Sequence, residues 1–290
     1  MHIPNGFLTD PVCTASTLAA TAALGVGFAR LRQMDHSRSS ALMAATGAGI
    51  FAAQMVNFPI GAGTSGHVLG AALAAIVQGP WRGMWTMAVV LTTQCCLLGD
   101  GGATALGANV LNMAVVATLV ASGLYTLVTR SVAGANGKLL GAAAAGFGSV
   151  LASASLCSLE LAVSGTHGLT EVLSAMLGVH AVIGVSEALV TLAIVAALAA
   201  HSENRLPSSG RVAAIGLALA VAIAGLLAPW ASSAPDGLQR VAQDLSIASL
   251  DTGIAWPALA VSLAGIAGVL FVFISAYTVD RTARVKVRKR

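Results

Sequence analysis

Residues 171–200 read EVLSAMLGVHAVIGVSEALVTLAIVAALAA, a run in which two glutamates and one histidine are the only ionisable side chains. About 20 mostly apolar residues are enough for an α-helix to cross the hydrocarbon core of a bilayer. A helix also satisfies its own backbone hydrogen bonds, which lipid requires of any spanning segment. This stretch therefore predicts a transmembrane helix, and it sets the fold class for the chain.

Further apolar runs extend this prediction to most of the chain. Only 9% of the residues are charged and 57% are hydrophobic, whereas a soluble domain carries about 25% charged residues. We therefore predict an all-α, polytopic helical membrane protein, with about seven helices in the core plus two C-terminal transmembrane helices. The other runs are 11–31, 39–58, 67–79, 83–99, 108–129, 138–163, 211–231 and 255–279.

The distribution of polar residues predicts three regions. Residues 1–200 form the membrane core, 201–210 (HSENRLPSSG) a polar linker, and 211–290 an appended module of two spans with an outer loop. Basic residues concentrate in cytoplasmic segments of membrane proteins. Since the tail after Asp280 is rich in Arg and Lys, we expect a cytoplasmic C-terminus, an extracytoplasmic Met1 and a multi-pass protein of the cell inner (plasma) membrane.

The run at 67–79 is too short to cross a bilayer and follows a glycine-rich segment, residues 61–66 (GAGTSG). Irregular backbone at membrane depth is tolerated only where it lines a cavity or is buried in protein. This segment is therefore the first place to expect a functional site.

A free Met1-His2 terminus is a chelator by its covalent geometry. The α-amine, the deprotonated backbone nitrogen of His2 and its imidazole supply three nitrogens in one plane, which suits Ni(II) or Cu(II) and also Co(II). His67, which ends the glycine-rich segment, supplies a fourth nitrogen as a neutral ligand. The alternative interpretation is a frayed terminus that begins with Met-His by chance.

Two other function classes stay open from the residues alone. Gly63-Thr64-Ser65-Gly66 matches the pattern around the nucleophile of intramembrane serine proteases, with His167 or His180 as a base; flexible backbone explains the same residues. A metal-conducting channel is a third class. The sequence has no phosphate-binding loop for ATP, so ATP-driven transport requires a separate ATPase.

Several polar residues lie close to these segments or within the predicted spans. Asp100 can balance a cation, and Asn109 or Asn112 can orient ligands through hydrogen bonds; helix capping by Asp and Thr is the alternative interpretation of this loop. His180 and Glu187 share a helix face inside a span, where ionisable groups serve function or pair internally.

The chain resembles the CbiM/NikM membrane components of energy-coupling-factor cobalt/nickel transporters. The resemblance covers about residues 1–200. The matching stretches are 1–8 (MHIPNGFL), 53–60 (AQMVNFPI), 63–70 (GTSGHVLG), 79–81 (GPW), 101–102 with 106–110 (GG and LGANV), 179–180 (VH) and 186–191 (SEALVT).

The resemblance implies a substrate-capture component of an ATP-driven importer of Co²⁺ or Ni²⁺, not an enzyme. It implies that Met1, His2 and His67 bind the metal, and we expect the ligands to be surrounded by Ser65, Asp100, Asn109 and His180. The implied partners are a transmembrane coupling (T) subunit and cytoplasmic ATPase subunits, in the lipid bilayer. Neither a resident cofactor nor nucleic acid is expected.

Residues 206–290 look like the fused small partner of these systems. Pro235-Asp236-Gly237-Leu238-Gln239 resembles its Pro-Asp-Gly-Leu-Glu motif. Gln239 replaces the glutamate, so any role of that carboxylate is expected to be absent. Asn5 stands where Asp is common, and Gly99-Asp100 replaces a frequent histidine-containing pattern, which leaves the choice between cobalt and nickel open.

Overall fold

The computed structural model describes residues 1–34, 40–202, 209–247 and 257–285, and α-helices account for most of them. Short π-helical turns continue α4 and α9 and join α5 to α6. The helices are α1 (Asp10–Leu31), α2 (Ser40–Gln54), α3 (Ala71–Gln78), α4 (Pro80–Thr93), α5 (Leu106–Asn109), α6 (Ala117–Ser131), α7 (Gly134–Val163), α8 (Leu169–Ser202), α9 (Ser209–Ala222), α10 (Gly237–Asp244) and α11 (Ala258–Val285).

Six helical segments are long and apolar enough to cross a membrane, which confirms a polytopic helical membrane protein. The predicted runs 39–58 and 83–99 contain shorter helices, α2 and α4. Residues 203–208 and 286–290 lie outside the described part of the chain, so most of the linker and the end of the basic tail stay predictions. The six segments are Asp10–Leu31, Leu106–Ser131, Gly134–Val163, Leu169–Ala200, Gly210–Trp230 and Ala258–Arg284.

The glycine-rich segment forms a small antiparallel hairpin of β1 (Phe58–Gly61) and β2 (Thr64–Gly66). Its turn has positive φ angles of 106° at Gly61, 49° at Ala62 and 69° at Gly63. Glycine adopts this left-handed backbone without steric cost, which explains why the turn is rich in it. The hairpin leads into α3, which has only 8 residues, so the predicted short helix is confirmed.

Glu187 of α8 fixes the start of α3. Its two carboxylate oxygens accept hydrogen bonds from the backbone N–H groups of Leu69 at 2.7 Å and Gly70 at 2.8 Å. The N–H groups at the start of a helix have no acceptor within the helix. Here the buried carboxylate of Glu187 is the acceptor for the two N–H groups just before α3. The interior partner of Glu187 is therefore the backbone before α3 and not His180.

Close helix packing depends on small residues, as is typical of membrane helices. A Cβ atom at Gly146 of α7 would lie 2.8 Å from the Cα of Ala188 on α8. A Cβ at Gly216 of α9 would lie 2.9 Å from the Cβ of Ala45 on α2, and one at Gly268 of α11 would overlap the Phe51 ring. Both C-terminal membrane helices therefore pack directly on α2 of the core.

A buried ion pair joins α11 to the core at its far end. Arg82 Nε donates to Asp280 Oδ1 at 2.9 Å, and Ser40 Oγ donates to Asp280 Oδ2 at 2.8 Å. Arg284, one turn further along α11, also pairs with Asp280. Since buried charges are retained only with partners, this network fixes α2, α4 and α11 relative to one another.

We expect Glu187→Ala to destabilise the fold. Each buried N–H that loses its acceptor costs about 1–3 kcal/mol, so the midpoint of thermal unfolding in detergent should fall by about 4 °C or more. Glu171→Ala, at a side chain that is 64% exposed on the same helix, is the matched control and should leave the midpoint unchanged. Equal midpoints for the two variants would contradict this account of α3.

Candidate metal centre

The first residues of the chain are buried inside the bundle. Met1 is 7% exposed, His2 5% and Ile3 0%. The side chain of Asn109, at the end of α5, binds Ile3 twice: the Ile3 N–H donates to Asn109 Oδ1 at 2.8 Å, and Asn109 Nδ2 donates to the Ile3 carbonyl at 3.1 Å. The same carbonyl accepts from Gly102 N–H at 2.8 Å. Asn109 therefore holds the N-terminal segment, as expected of a residue that orients ligands.

The loop before α5 closes over this segment. Asn5 Oδ1 accepts hydrogen bonds from the backbone N–H of Thr104 at 3.1 Å and from its hydroxyl at 2.9 Å. A Cβ atom at Gly102 would overlap the backbone of Pro4 and Asn5. Position 102 therefore requires glycine, because the two backbones are in contact there. The amide oxygen of Asn5 is the hydrogen-bond acceptor that an aspartate oxygen would otherwise be.

His67 follows the hairpin and lies against His2. The two rings stack with centroids 5.4 Å apart and an angle of 27° between their planes. His67 Nδ1 lies 2.9 Å from the Val68 carbonyl, which only accepts, so Nδ1 carries the proton. In the neutral ring Nε2 then has a free lone pair, the form in which histidine binds metals.

The terminal amine pairs with a residue from the other end of the chain. The Met1 ammonium donates to Asp236 Oδ2 at 2.9 Å. Asp236 also caps α10: its Oδ1 accepts from Gln239 N–H at 2.8 Å, and Gln239 Oε1 accepts from Asp236 N–H at 2.9 Å. An amide performs this reciprocal cap as well as a carboxylate would, so Gln239 has a structural role that does not require the charge of a glutamate.

Ser65 attaches the hairpin to the loop that carries Asp236. Its backbone N–H donates to the Pro235 carbonyl at 2.8 Å and its hydroxyl to the Ala234 carbonyl at 2.7 Å. A nucleophilic serine donates instead to a base. The Ser65 hydroxyl makes no hydrogen bond to either proposed base, His167 or His180, because it donates to backbone carbonyls. The geometry therefore argues against the serine protease.

Burial keeps both imidazole rings neutral. Desolvation, reinforced by the nearby terminal ammonium, lowers the pKa of His2 to about 3 and that of His67 to about 4. Burial by itself opposes ionisation of Asp236, but the ammonium and the Gln239 N–H hold the pKa of its carboxyl below the ordinary value. At neutral pH the centre therefore contains two neutral rings and one ammonium–carboxylate pair.

A cavity of about 270 Å³ reaches the centre from one side. Asp100 lies at this cavity with its side chain 42% exposed, and its Oδ1 is 3.3 Å from His2 Nδ1. The ionisable carboxyl groups among the described lining residues are those of Asp100 and Asp236, and carboxylates favour cations. Its polar lining consists of Gln54, Asn57, His67, Asp100, Asp236 and Gln239.

Sequence reasoning did not select Asp236, Gln54 or Gln94 for the site. Gln94 Nε2 donates to Gln54 Oε1 at 2.7 Å, and Gln54 Nε2 donates to the Leu69 carbonyl at 2.6 Å. Gln94 Oε1 is buried without a hydrogen-bond partner, and the side chain interacts with the His2 ring. Buried glutamines in apolar helices were the available signal, because such groups require hydrogen bonds.

Within the described ranges, no group of three or more His, Cys, Asp or Glu side chains is arranged to hold a metal ion. The nitrogen donors here are of another kind. The structure places the terminal amine, the backbone nitrogen and ring of His2, and the His67 ring in one buried centre, and their role as metal ligands stays a prediction. Ser65, Asp100, Asn109 and His180 also lie around them.

Membrane-length helices around a buried set of nitrogen donors are typical of a transition-metal transporter. A family model described as "Cobalt uptake substrate-specific transmembrane region", CbiM, matches residues 2–205. The chain therefore belongs to the CbiM family, and as a member of it is a transport component of the membrane and not an enzyme.

Named relatives and solved structures agree with this assignment. The chain is 33% identical to a putative fused nickel transport protein NikMN of Archaeoglobus fulgidus, over 98% of this chain and 99% of that one. It is 39% identical to the fused nickel transport protein NikMN of Rhodobacter capsulatus, over 56% of this chain and 47% of that protein. A crystal structure of a truncated transition metal transporter is 33% identical, with a TM-score of 0.62 over 69% of this chain and 99% of that one.

We expect Asn109→Ala to release the N-terminal segment. The variant loses both side-chain hydrogen bonds to Ile3, each with a net value of about 1 kcal/mol, so the Met1 amine should react with an acylating reagent about tenfold faster or more. Peptide mass spectrometry measures the labelling. Asn112→Ala is the control, because Asn112 bonds Glu160 and not the terminus; equal labelling of both variants would contradict the clamp.

Proposed function

We propose that this protein captures Co²⁺ or Ni²⁺ at the extracytoplasmic side and is the substrate-binding component of an ATP-driven importer. The observation that carries the proposal is the burial of the Met1 amine beside two stacked, neutral histidine rings. Relatives named as nickel transport proteins NikMN and cobalt transport proteins CbiM support the choice of metals. The chelate of Met1, His2 and His67 is the proposed binding site.

Four nitrogens would hold the ion. The amine, the backbone nitrogen of His2 and its ring close two chelate rings, and His67 Nε2 completes the set. Nitrogen ligands in a plane suit Ni(II), and the same donors bind Co(II). The clamp on Ile3 by Asn109 prepares this geometry before the metal arrives, which lowers the entropy cost of binding.

The charges at the site balance when the metal is bound. Binding removes one proton from the ammonium and one from the His2 amide. The deprotonated amide and the Asp236 carboxylate then carry two negative charges against the two positive charges of the ion. The two neutral rings add none. A divalent ion therefore balances the charges of the amide and Asp236, as burial at low dielectric requires; Asp100 lies outside this count, at the cavity, with its side chain 42% exposed.

Transport requires partners that this chain does not contain. The sequence lacks a phosphate-binding loop, so ATP hydrolysis would come from cytoplasmic ATPase subunits, coupled through a transmembrane T subunit. The basic residues after Asp280 support a cytoplasmic C-terminus by the positive-inside rule. The centre would then lie on the extracytoplasmic side, because the loop that carries Asp236 precedes the membrane helix α11 and the basic tail follows it.

A two-residue extension of the N-terminus should abolish tight metal binding. Placing Gly-Pro between the initiator methionine and Met1 makes His2 the fourth residue after methionine removal, and the proline nitrogen has no N–H to release, so the amine and the ring no longer close successive chelate rings on one ion. Titration of the purified protein with Ni²⁺ or Co²⁺ should show an affinity at least about 100-fold lower, or about 2.7 kcal/mol. Gly-Pro added after Arg290 is the control. Undiminished affinity would contradict the N-terminal chelate.

Metal affinity should fall steeply as the pH is lowered from 7 to 5. The rings stay neutral in this range, because the pKa values of His2 and His67 are about 3 and 4. The amine and the amide each release a proton, so affinity should fall about tenfold per pH unit for each of them. Titrations at several pH values measure the slope. A flat profile would show that imidazoles alone bind the metal.

Uptake measurements separate the importer from a channel. We expect cells that express this chain alone to accumulate little ⁶³Ni²⁺ or ⁵⁷Co²⁺, and cells that also express its coupling and ATPase subunits to accumulate the metal. His67→Ala should abolish both binding and coupled uptake. Full uptake by the chain alone would identify a channel and contradict the importer.

A further inference from the structure

A second, smaller cavity adjoins the centre and extends to residues of α7 and α8. It has a volume of about 20 Å³, and Met1, His67, Asp236 and His180 are among the residues that line it. One water molecule or one ion needs about 10–15 Å³ of such space. The cavity therefore has room for a single small occupant next to two of the proposed ligands.

His180 presents an unused nitrogen at this cavity. The residue is 1% exposed, and its Nε2 atom is buried without a hydrogen-bond partner. Buried polar atoms in folded proteins are nearly always hydrogen-bonded, so an orphaned one requires an explanation. His180 is on the same face of α8 as Glu187. The Glu187 carboxylate already accepts hydrogen bonds from the backbone before α3.

The tautomer of His180 is fixed by its other nitrogen. Nδ1 lies 2.8 Å from the Met176 carbonyl one turn earlier on α8. A carbonyl only accepts, so Nδ1 carries the proton and the neutral ring keeps a lone pair on Nε2. A backbone carbonyl that orients the ring through Nδ1–H is the usual arrangement around metal-binding histidines.

The loop that carries Asp236 holds the ring in place. A Cβ atom at Gly237 would lie 3.0 Å from His180 Cε1 and 3.1 Å from Val179 Cγ1. The start of α10 therefore packs directly on His180, and the ring cannot turn without displacing the loop that carries Asp236. The Nε2 atom has a defined position at the small cavity.

His180 lies several turns from the end of α8. It is 11 residues after Leu169, the first residue of α8, or about 16 Å at 1.5 Å per residue. With Leu169 towards the extracytoplasmic side, His180 lies in the direction of the cytoplasm.

We infer that His180 is a transit ligand: its Nε2 binds the metal ion in a second position, below the chelate, after the ion leaves the Met1-His2 nitrogens. The inference rests on the proposed function. The ion exchanges the His2 amide and the amine for His180, and these two groups each take back a proton from solvent in the larger cavity. His67, which lines both cavities, stays bound during the exchange.

A cysteine in place of His180 tests whether an ion reaches this position. A thiolate bound to Co²⁺ gives a ligand-to-metal charge-transfer band in the near ultraviolet, which histidine does not. We expect this band in Co²⁺-loaded His180→Cys, or in His2→Ala/His180→Cys if the intact chelate retains the ion. Val182→Cys, 47% exposed on the same helix, should give none. Absence of the band from both His180→Cys proteins would overturn the inference.

Uptake by the complete transporter tests the transport role. We expect His180→Gln to bind Ni²⁺ within about twofold of the original affinity and to transport it at least tenfold more slowly, because the chelate is intact and the second position is lost. Val182→Ala is the control for transport. Uptake within twofold of the original rate would overturn the transit role, and so would loss of equilibrium binding in His180→Gln. If the unsubstituted protein binds no metal, the proposed function itself fails.

Discussion

A charged chain terminus buried inside a membrane protein is the constraint on which this structure depends. An ammonium group removed from water needs a partner, and here the partner is Asp236, 235 positions away in the sequence. The pair holds the loop that carries Asp236 against the N-terminal segment. Ser65 strengthens this contact from the hairpin, because both its N–H and its hydroxyl bond the backbone of the same loop. Three distant segments therefore meet at one point.

The rest of the bundle supports this junction. Asn109 and Gly102 hold Ile3 from one side, and the short α3 reaches the site from the other with its start capped by Glu187. The C-terminal helices α9 and α11 pack on α2 through glycines, and the Asp280 network fixes the opposite end of α11. These contacts fix the position of the loop that carries Asp236 relative to the metal centre. The appended module is therefore a structural part of the site.

Local chemistry explains which features were predictable from the sequence. Length and apolarity predicted the long helices, and the 67–79 run predicted a helix too short to span, because both depend on bilayer thickness alone. Met1, His2 and His67 were predicted from the covalent geometry of a chelate and from a family resemblance. The contact between Met1 and Asp236 was not, since no local pattern encodes a pairing across the whole chain. Gln94 was missed for the same reason: its neighbour His2 lies far away in the sequence. The cap by Gln239 was not predicted either, although it depends only on an oxygen atom that glutamine and glutamate share.

The buried amine also has a consequence for biosynthesis. Translation in many cells begins with formylmethionine, and a formyl group turns the amine into an amide that carries no charge. Such an amide cannot form the ion pair with Asp236, and the additional atoms have to fit at a residue that is 7% exposed. Any group that acylates the amine therefore removes the ion pair, so chemical modification at a single nitrogen controls the contact between two segments 235 positions apart.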